Sequence, residues 1–268
     1  MARIEKLTPT IGAEIFDVDL RAPSAELIAL VHNAFLDNLV VFFRDHKLTI
    51  EELKAFGREF GKLHVHPISV PKIPEHPEIT LIEAGPSSKI VAGEDWHSDA
   101  SADHEPPLGS ILNIHEVPEN GGGDTLFANM YAAYEALSPQ IKVLLEGLTA
   151  IHDGEKRRAG RNVINPSERL IWSEHPVVRT HPETGRKSLY VNRAYTSHIV
   201  QLSKAESDAL LAFLYQHQES AMFQCRFKWR PNSVAFWDNR CTLHQAIWDY
   251  FPQRRYGIRV AICGDKPA

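Results

Sequence analysis

Apolar residues recur at helical spacing through 25–39 and then give way to the unbroken apolar run Val40–Phe43. The first pattern predicts an amphipathic helix and the second a short strand buried on both faces. Thr49-Ile-Glu-Glu52 forms a capping-box sequence, so a second helix opens there and carries Leu53, Phe56 and Phe60. Ser138 followed by Pro139 reads as an N-cap with proline at the first helical position, launching a helix through 141–148. Ser203-Lys-Ala-Glu206 is another capping box, opening a helix to about Gln218. Strands are expected over 79–82, 109–117, 223–229 and 233–237, the last two joined by a turn at Arg230-Pro231-Asn232. In the final strand, 256–263, Tyr256, Ile258, Val260 and Ile262 form an apolar face that should pack on a helical layer. Arg255, Gly257, Arg259, Ala261 and Cys263 share the other face, which is narrow and cationic. Segment 152–173 is polar, basic and aperiodic, so it reads as a long loop, with about 153–173 an active-site lid.

Strands outnumber helices in the second half, and no repeat, linker or low-complexity tract breaks the 268 residues. A single domain over 1–268 follows, long enough to bury a substantial core. Composition is that of a globular protein, 43% apolar and 24% charged. A net charge of −5 argues against nucleic acid as partner, and no apolar run approaches the ~18 residues of a membrane span. The N-terminus lacks the apolar core of a signal peptide, and three cysteines without CxxC spacing read as reduced thiols. Cytoplasm is the expected location.

The chemistry-bearing residues change the picture more than composition does. Trp96-His97-Ser98-Asp99 contains a His-X-Asp triplet, a pattern that chance supplies roughly once in a chain of this length and content. On extended backbone, residues i and i+2 face the same way, so His97 and Asp99 can grip one ion while Ser98 points away. A distant His244 completes two imidazoles and one carboxylate, the facial set that non-heme Fe(II) oxygenases use. These ligands lie 145 positions apart, counted from Asp99 to His244. A closed or sandwich-like sheet must bring them together, and a double-stranded β-helix (jelly roll) does so. The fold class is therefore mainly β, α+β, with a jelly-roll core flanked by helices, and His244 is expected just after the 233–237 strand.

Arg255 and Arg259 follow the second histidine, their backbone origins roughly 13 Å apart if the strand is regular. Planar guanidinium suits bidentate carboxylate recognition, so the pair can serve two anions. Gly121-Gly-Gly-Asp-Thr125 lacks a P-loop lysine and reads as a tight inter-element turn, with the Thr125 hydroxyl able to donate to the carboxylate held by Arg255. A binding protein on a degenerate jelly roll, or a cupin-like metalloenzyme working without a keto acid, would share the same architecture.

Several stretches match a known family together. They are Asp95-Trp-His-Ser-Asp99, Gly122-Gly-Asp-Thr-Leu126, Tyr134-Glu-Ala-Leu-Ser138, His175-Pro-Val-Val-Arg-Thr-His-Pro182, Leu189-Tyr-Val-Asn192, Trp237-Asp-Asn-Arg240 and Asp249-Tyr-Phe-Pro-Gln-Arg-Arg255. From about Leu7 to the C-terminal Gly-Asp-Lys-Pro, the chain resembles the taurine dioxygenase (TauD/TfdA-like) family. The resemblance implies His97, Asp99 and His244 as Fe(II) ligands, with 2-oxoglutarate and O2 as co-substrates. It places Thr125 and Arg255 on the distal carboxylate of 2-oxoglutarate, and Arg259 near the acid group of the primary substrate, within reach of the keto acid. The implied reaction hydroxylates a substrate carbon while 2-oxoglutarate becomes succinate and CO2. Where that carbon bears a heteroatom, the product collapses with loss of sulfite, an alcohol or a phenol. A carboxylate at Asp99, where a small residue would admit halide, implies hydroxylation rather than halogenation.

The resemblance assigns the substrate pocket to His66, Ser69, Gly93, Tyr195 and Arg259. His66 matches the sulfonate-binding histidine. Ser69 stands where the taurine enzymes have tyrosine, Gly93 where they have asparagine, and Tyr195 where a phenylalanine lines the pocket. Losing two polar contacts argues against taurine itself, because sites built for hydrogen bonding discriminate steeply. Gly93 and Tyr195 look more like the aryloxyalkanoate branch, which makes an aryloxyalkanoate or related carboxylate the expected substrate. Taurine, another alkanesulfonate or an alkyl sulfate is the alternative. A small anionic substrate is the expected partner, with neither nucleic acid nor membrane, and the family resemblance implies a homodimer or homotetramer.

Overall fold

The computed structural model describes residues 2–66, 71–89, 93–160 and 170–268. Its largest sheet has seven strands in the spatial order Arg3–Lys6, Ala13–Phe16, Val40–Phe43, Ser233–Asp238, Gly109–Glu116, Arg255–Ile262 and Thr80–Ala84. All neighbours are antiparallel except Ala13–Phe16 beside Val40–Phe43. A three-stranded sheet, Gln224–Phe227, Thr125–Asn129 and Thr242–Ala246, faces it. These two sheets are the opposed walls of the jelly roll. A further three-stranded sheet joins Thr196–Ile199, Thr149–Asp153 and Trp172–Pro176, and Val178–Thr180 pairs with Lys187–Leu189.

The apolar run Val40–Phe43 is buried on both faces because it is a central strand between two layers. Val41 and Phe43 point into a cluster with Phe35 of helix Ala25–Asn38 and with Leu53 and Phe56 of helix Ile50–Arg58. Val40 and Phe42 point the other way, against Phe127, Phe227, Trp229 and Trp237 between the sheets. Phe42 stacks on Phe227 with centroids 3.8 Å apart. Ser233–Asp238 repeats the device, with Val234 and Phe236 toward the helices and Ala235 and Trp237 toward the opposite sheet. The apolar face of Arg255–Ile262 supplies Ile258, Val260 and Ile262 to the helical side, as its alternation requires. A separate cluster packs helix Lys204–Gln218, through Leu211, Leu214 and Tyr215, against the Thr149–Asp153 sheet.

The caps form as their sequences require. Thr49 and Ser203 each close a full capping box, and Ser138 accepts from the amide of Ile141 with Pro139 at the helix start. One expectation is corrected. Segment 152–173 is not one long loop: His152 and Asp153 end a strand, Gly154–Gly160 is a 3-10 helix, and Trp172 opens the next strand. Its polar pattern misled because the inward residue, His152, is a histidine buried without charge. The remainder of the expected lid, 161–169, lies outside the described residues. His244 comes shortly after the Ser233–Asp238 strand, in the middle of a strand of its own, Thr242–Ala246. Helix Met130–Glu135 and the strands Arg3–Lys6, Ala13–Phe16 and Thr125–Asn129 carry too few periodic positions to be read from sequence. Among the described residues, no helix is long and apolar enough to cross a membrane.

Candidate metal and anion site

Two backbone hydrogen bonds between His97 and His244, 3.1 and 2.8 Å, splice the His97 segment onto strand Thr242–Ala246 as an antiparallel bridge. That single bridge cancels the sequence separation, and the two imidazoles end with ring centroids 4.1 Å apart. Nε2 of His97 lies 3.7 Å from Asp99 Oδ1, and Nε2 of His244 lies 3.8 Å from the same oxygen. One ligand atom from each of the three lies within 4.8 Å of the others, and all three residues are buried. The geometry places a common coordination point among them, as the His-X-Asp spacing requires.

Protonation states suit a cation. Burial lowers the affinity of His97 and, more strongly, His244 for a proton, so both rings are neutral donors of a lone pair. Burial alone would raise the Asp99 carboxyl, but the Arg259 guanidinium above all, with the Ser110 hydroxyl, outweighs it and holds it below the usual carboxylate range. His97 Nδ1 is 2.8 Å from the Asp95 carbonyl, which fixes the proton there and leaves Nε2 for a metal. Among the described residues His244 Nδ1 is buried without a hydrogen-bond partner, and the ring is held by packing against Trp237 and Phe127 instead. A neutral, neutral, anionic donor set of this kind suits ferrous iron.

A layer of polar residues that sequence reasoning missed orients the carboxylate. Ser110 donates to Asp99 Oδ2 at 2.7 Å, and Asn239 Nδ2 donates to Ser110 Oγ at 3.3 Å. Trp237 Nε1 donates to Asn239 Oδ1 at 2.9 Å, and Ser98 turns away to donate to the Asn239 carbonyl at 2.7 Å. Such groups set ligand direction and basicity. Nothing in the sequence singles out Ser110, since it reads as an ordinary strand position.

The triad opens into a cavity of about 560 Å³ that also contains His66, Gly93, Thr125, Tyr195, Arg255 and Arg259. The structure thus collects every expected site residue except Ser69, which lies outside the described residues. Arg255 is 3% exposed and, among the described residues, has no carboxylate within ion-pairing distance. Its Nε is buried without a partner among those residues, and its guanidinium carbon lies 5.4 Å from the centroid of the Trp229 ring. Trp229 Nε1 also donates to Thr125 Oγ1 at 2.9 Å, which leaves the threonine proton free to donate onward. A buried guanidinium beside an available hydroxyl is a socket for a carboxylate. The glycine run serves that socket. A side chain on Gly123 would stand 2.9 Å from Arg255 Cδ, and the Gly123 amide donates to Asp249 Oδ1 at 2.8 Å.

Arg259 has a partner that the expected role did not include. It shares the cavity, but its Nη1 donates to Asp99 Oδ1 at 2.6 Å, so its first partner is the metal-ligand carboxylate. A carboxylate oxygen has two lone-pair sites, so Oδ1 can keep this bond and still face a metal. Gly93 sits at φ +91°, and a Cβ there would stand 3.1 Å from His97 Cε1. Glycine therefore gives the imidazole its room, besides removing a polar side chain from the pocket. His181, Asp238 and Cys241 form a second cluster of possible ligands, but Arg240 grips both Asp238 oxygens, at 2.8 and 2.7 Å. That cluster is a buried ion pair closing the strand end.

The family model for taurine catabolism dioxygenases, the TauD, TfdA family, matches residues 3–261. An alpha-ketoglutarate-dependent sulfonate dioxygenase of Saccharomyces cerevisiae is 34% identical over 99% of this chain and 68% of its own length. An alkylsulfatase of Acinetobacter baylyi is 33% identical, covering 98% of this chain and 85% of its own. A 2,4-dichlorophenoxyacetate dioxygenase of Cupriavidus pinatubonensis is 33% identical, covering 94% and 92%. The solved taurine dioxygenase of Burkholderia xenovorans superposes with a TM-score of 0.87 at 35% identity, covering 100% of this chain and 92% of that one. AAD-2, solved with Mn(II) and N-oxalylglycine, superposes at 0.82 with 27% identity, covering 100% and 99%. The chain belongs to the TauD/TfdA family and is a dioxygenase that uses Fe(II), 2-oxoglutarate and O2.

Proposed function

We propose that His97, Asp99 and His244 hold the ferrous ion, that Thr125 and Arg255 hold the distal carboxylate of 2-oxoglutarate, and that the primary substrate is a small sulfate ester or alkanesulfonate oxidised at the carbon bearing the heteroatom. The observation that carries the first two assignments is the cavity itself. It joins a compact donor triad to a buried guanidinium that has no carboxylate of its own among the described residues. Ferrous iron with 2-oxoglutarate and O2 supplies the oxidising power, one oxygen atom leaving in succinate and the other entering the substrate. The protein binds, orients and shields. Arg255 and Thr125 fix the far end of the keto acid, so its other end reaches the triad in one register. Ser110 and Asn239 keep the Asp99 oxygens directed, and Trp237 and Phe127 keep water from the His244 ring.

Substrate class rests on the cations around the mouth of the site. Arg157, Lys156 and Lys72 line the cavity together with His66 and Arg259, while Ile79, Leu81 and Tyr195 offer apolar surface. An anionic head near the metal with an alkyl body beyond it fits that division. Relatives named for sulfonates and for alkyl sulfates support the sulfur acids. Hydroxylation of R–CH2–OSO3⁻ gives R–CH(OH)–OSO3⁻, which collapses to an aldehyde and hydrogen sulfate. Taurine fits less well, because Gly93 presents backbone where a polar side chain would steady its ammonium. Gly93 and Tyr195 also favour a second reading, an aryloxyalkanoate with its ring toward Tyr195, in line with the phenoxyacetate relative. A screen for succinate release across alkyl sulfates, alkanesulfonates, taurine and aryloxyacetates tests the choice. Strong turnover of an alkyl sulfate or sulfonate is expected; turnover of aryloxy acids alone would overturn the sulfur-acid reading.

A further inference from the structure

Five lysine and arginine side chains line the cavity; Lys72 is exposed, and the other four differ in their partners. Arg255 is buried at the keto-acid socket, and Arg259 is bound to Asp99 Oδ1 at 2.6 Å. Lys156 is tied to the carbonyls of Arg193 and Thr196, at 2.8 and 2.5 Å. Arg157, on the 3-10 helix Gly154–Gly160, pairs instead with the Asp95 carboxylate at 3.2 Å. The Arg157 side chain is 20% exposed, so it is mostly shielded, whereas Asp95 is 60% exposed and readily rehydrated. Ion pairs with one solvated partner are weak and exchange easily. Arg157 lines the same cavity as His97, Asp99 and His244.

We propose that Arg157 is the specificity-determining cation for the primary substrate, releasing Asp95 to grip the anionic head group, a sulfate or sulfonate. This rests on the dioxygenase site assigned above and names what holds its substrate. An incoming anion exchanges with a hydrated carboxylate rather than with the metal ligand Asp99, so substrate binding leaves the iron set intact. Asp95 is suited to the exchange because its carboxylate holds Arg157 while its backbone carbonyl orients His97. The two functions use different atoms. Loss of the carboxylate therefore spares the imidazole.

Anaerobic enzyme loaded with Fe(II) and 2-oxoglutarate should show a visible charge-transfer band, whose perturbation would report binding of hexyl sulfate, hexanesulfonate and phenoxyacetate. The dissociation constant of whichever acid binds best should rise 30-fold or more in R157Q and recover in part in R157K. D95N, which removes the competing carboxylate, should tighten that acid 2- to 5-fold. An R157Q enzyme that binds the acid as tightly as wild type overturns the proposal. So does an equal loss of 2-oxoglutarate affinity in R157Q, which would mark a general disturbance of the iron site. Binding of phenoxyacetate alone, still weakened by R157Q, would sink the sulfur-acid reading and sustain the role of Arg157.

Discussion

Replacing Arg255 with methionine separates a ligand-binding role from a structural one. The guanidinium is 3% exposed and has no ion-pairing carboxylate among the described residues, so the folded protein carries the cost of a buried cation that the more distant Asp124 offsets only in part. Methionine fills similar space beside Trp229 without charge. In the absence of keto acid the iron-loaded variant should be more stable than wild type by about 1–4 kcal/mol, nearer the low end because the group faces a hydrated cavity. With keto acid the order reverses. Losing one partner of a buried arginine–carboxylate contact costs about 2–5 kcal/mol, hence a 2-oxoglutarate dissociation constant raised at least about 30-fold. At a concentration 100 times the wild-type constant, ligand adds about 2.7 kcal/mol to wild type and only about 0.9 kcal/mol to a variant weakened 30-fold. At about 2–4 °C per kcal/mol, the ligand-induced rise in Tm should shrink by roughly 4–7 °C. Thermal unfolding under anaerobic Fe(II), with and without 2-oxoglutarate, reads both effects. An R255M protein destabilised without ligand, yet keeping the full ligand-induced rise, would refute the socket and make Arg255 a structural cation.

The remaining expectations concern the groups around the site. Trp229→Phe removes the indole donor to Thr125 while keeping most of the packing, so the KM for 2-oxoglutarate should rise about 2- to 12-fold with kcat within about twofold. A larger fall in kcat than rise in KM would contradict that role. Ser110→Ala frees Asp99 Oδ2 and should weaken Fe(II) binding about 10- to 100-fold, measured by anaerobic metal titration. Unchanged affinity would mean that Ser110 only fills space. His152 and His175 are buried neutral, with proton affinities pushed down to about 3 and about 4 chiefly by desolvation. Below the ordinary value near 6.5 the unfolded chain binds protons that the native state refuses, so stability is full above about pH 6.5 and falls as pH drops toward 4. Each histidine should cost about 2 kcal/mol at pH 5, and His152→Phe should flatten the slope of urea midpoints between pH 7 and 5. An unaltered slope would show that His152 does not resist protonation.

Much of this protein is written in local pattern. Val40–Phe43 announces a central strand because four consecutive apolar residues can be buried only between two layers. Thr49, Ser138 and Ser203 mark helix starts because an orphan amide needs an oxygen within three residues. His97 and Asp99 are legible for the same reason, since extended backbone alone aims both at one point. Tertiary structure decided the rest, wherever the controlling partner is remote in sequence. Only the bridge between His97 and His244 turns two segments into one ligand set. Only packing selects Ser110, Asn239 and Trp229 from many similar residues, or brings Arg259 onto Asp99. His152 misled for the converse reason. Its polar name signals solvent, but a hydrogen bond from 51 residues away, at Ser101, keeps it inside. Sequence fixes short-range geometry because backbone sterics and capping act over a few residues, whereas charge pairing and burial depend on distances that only folding sets.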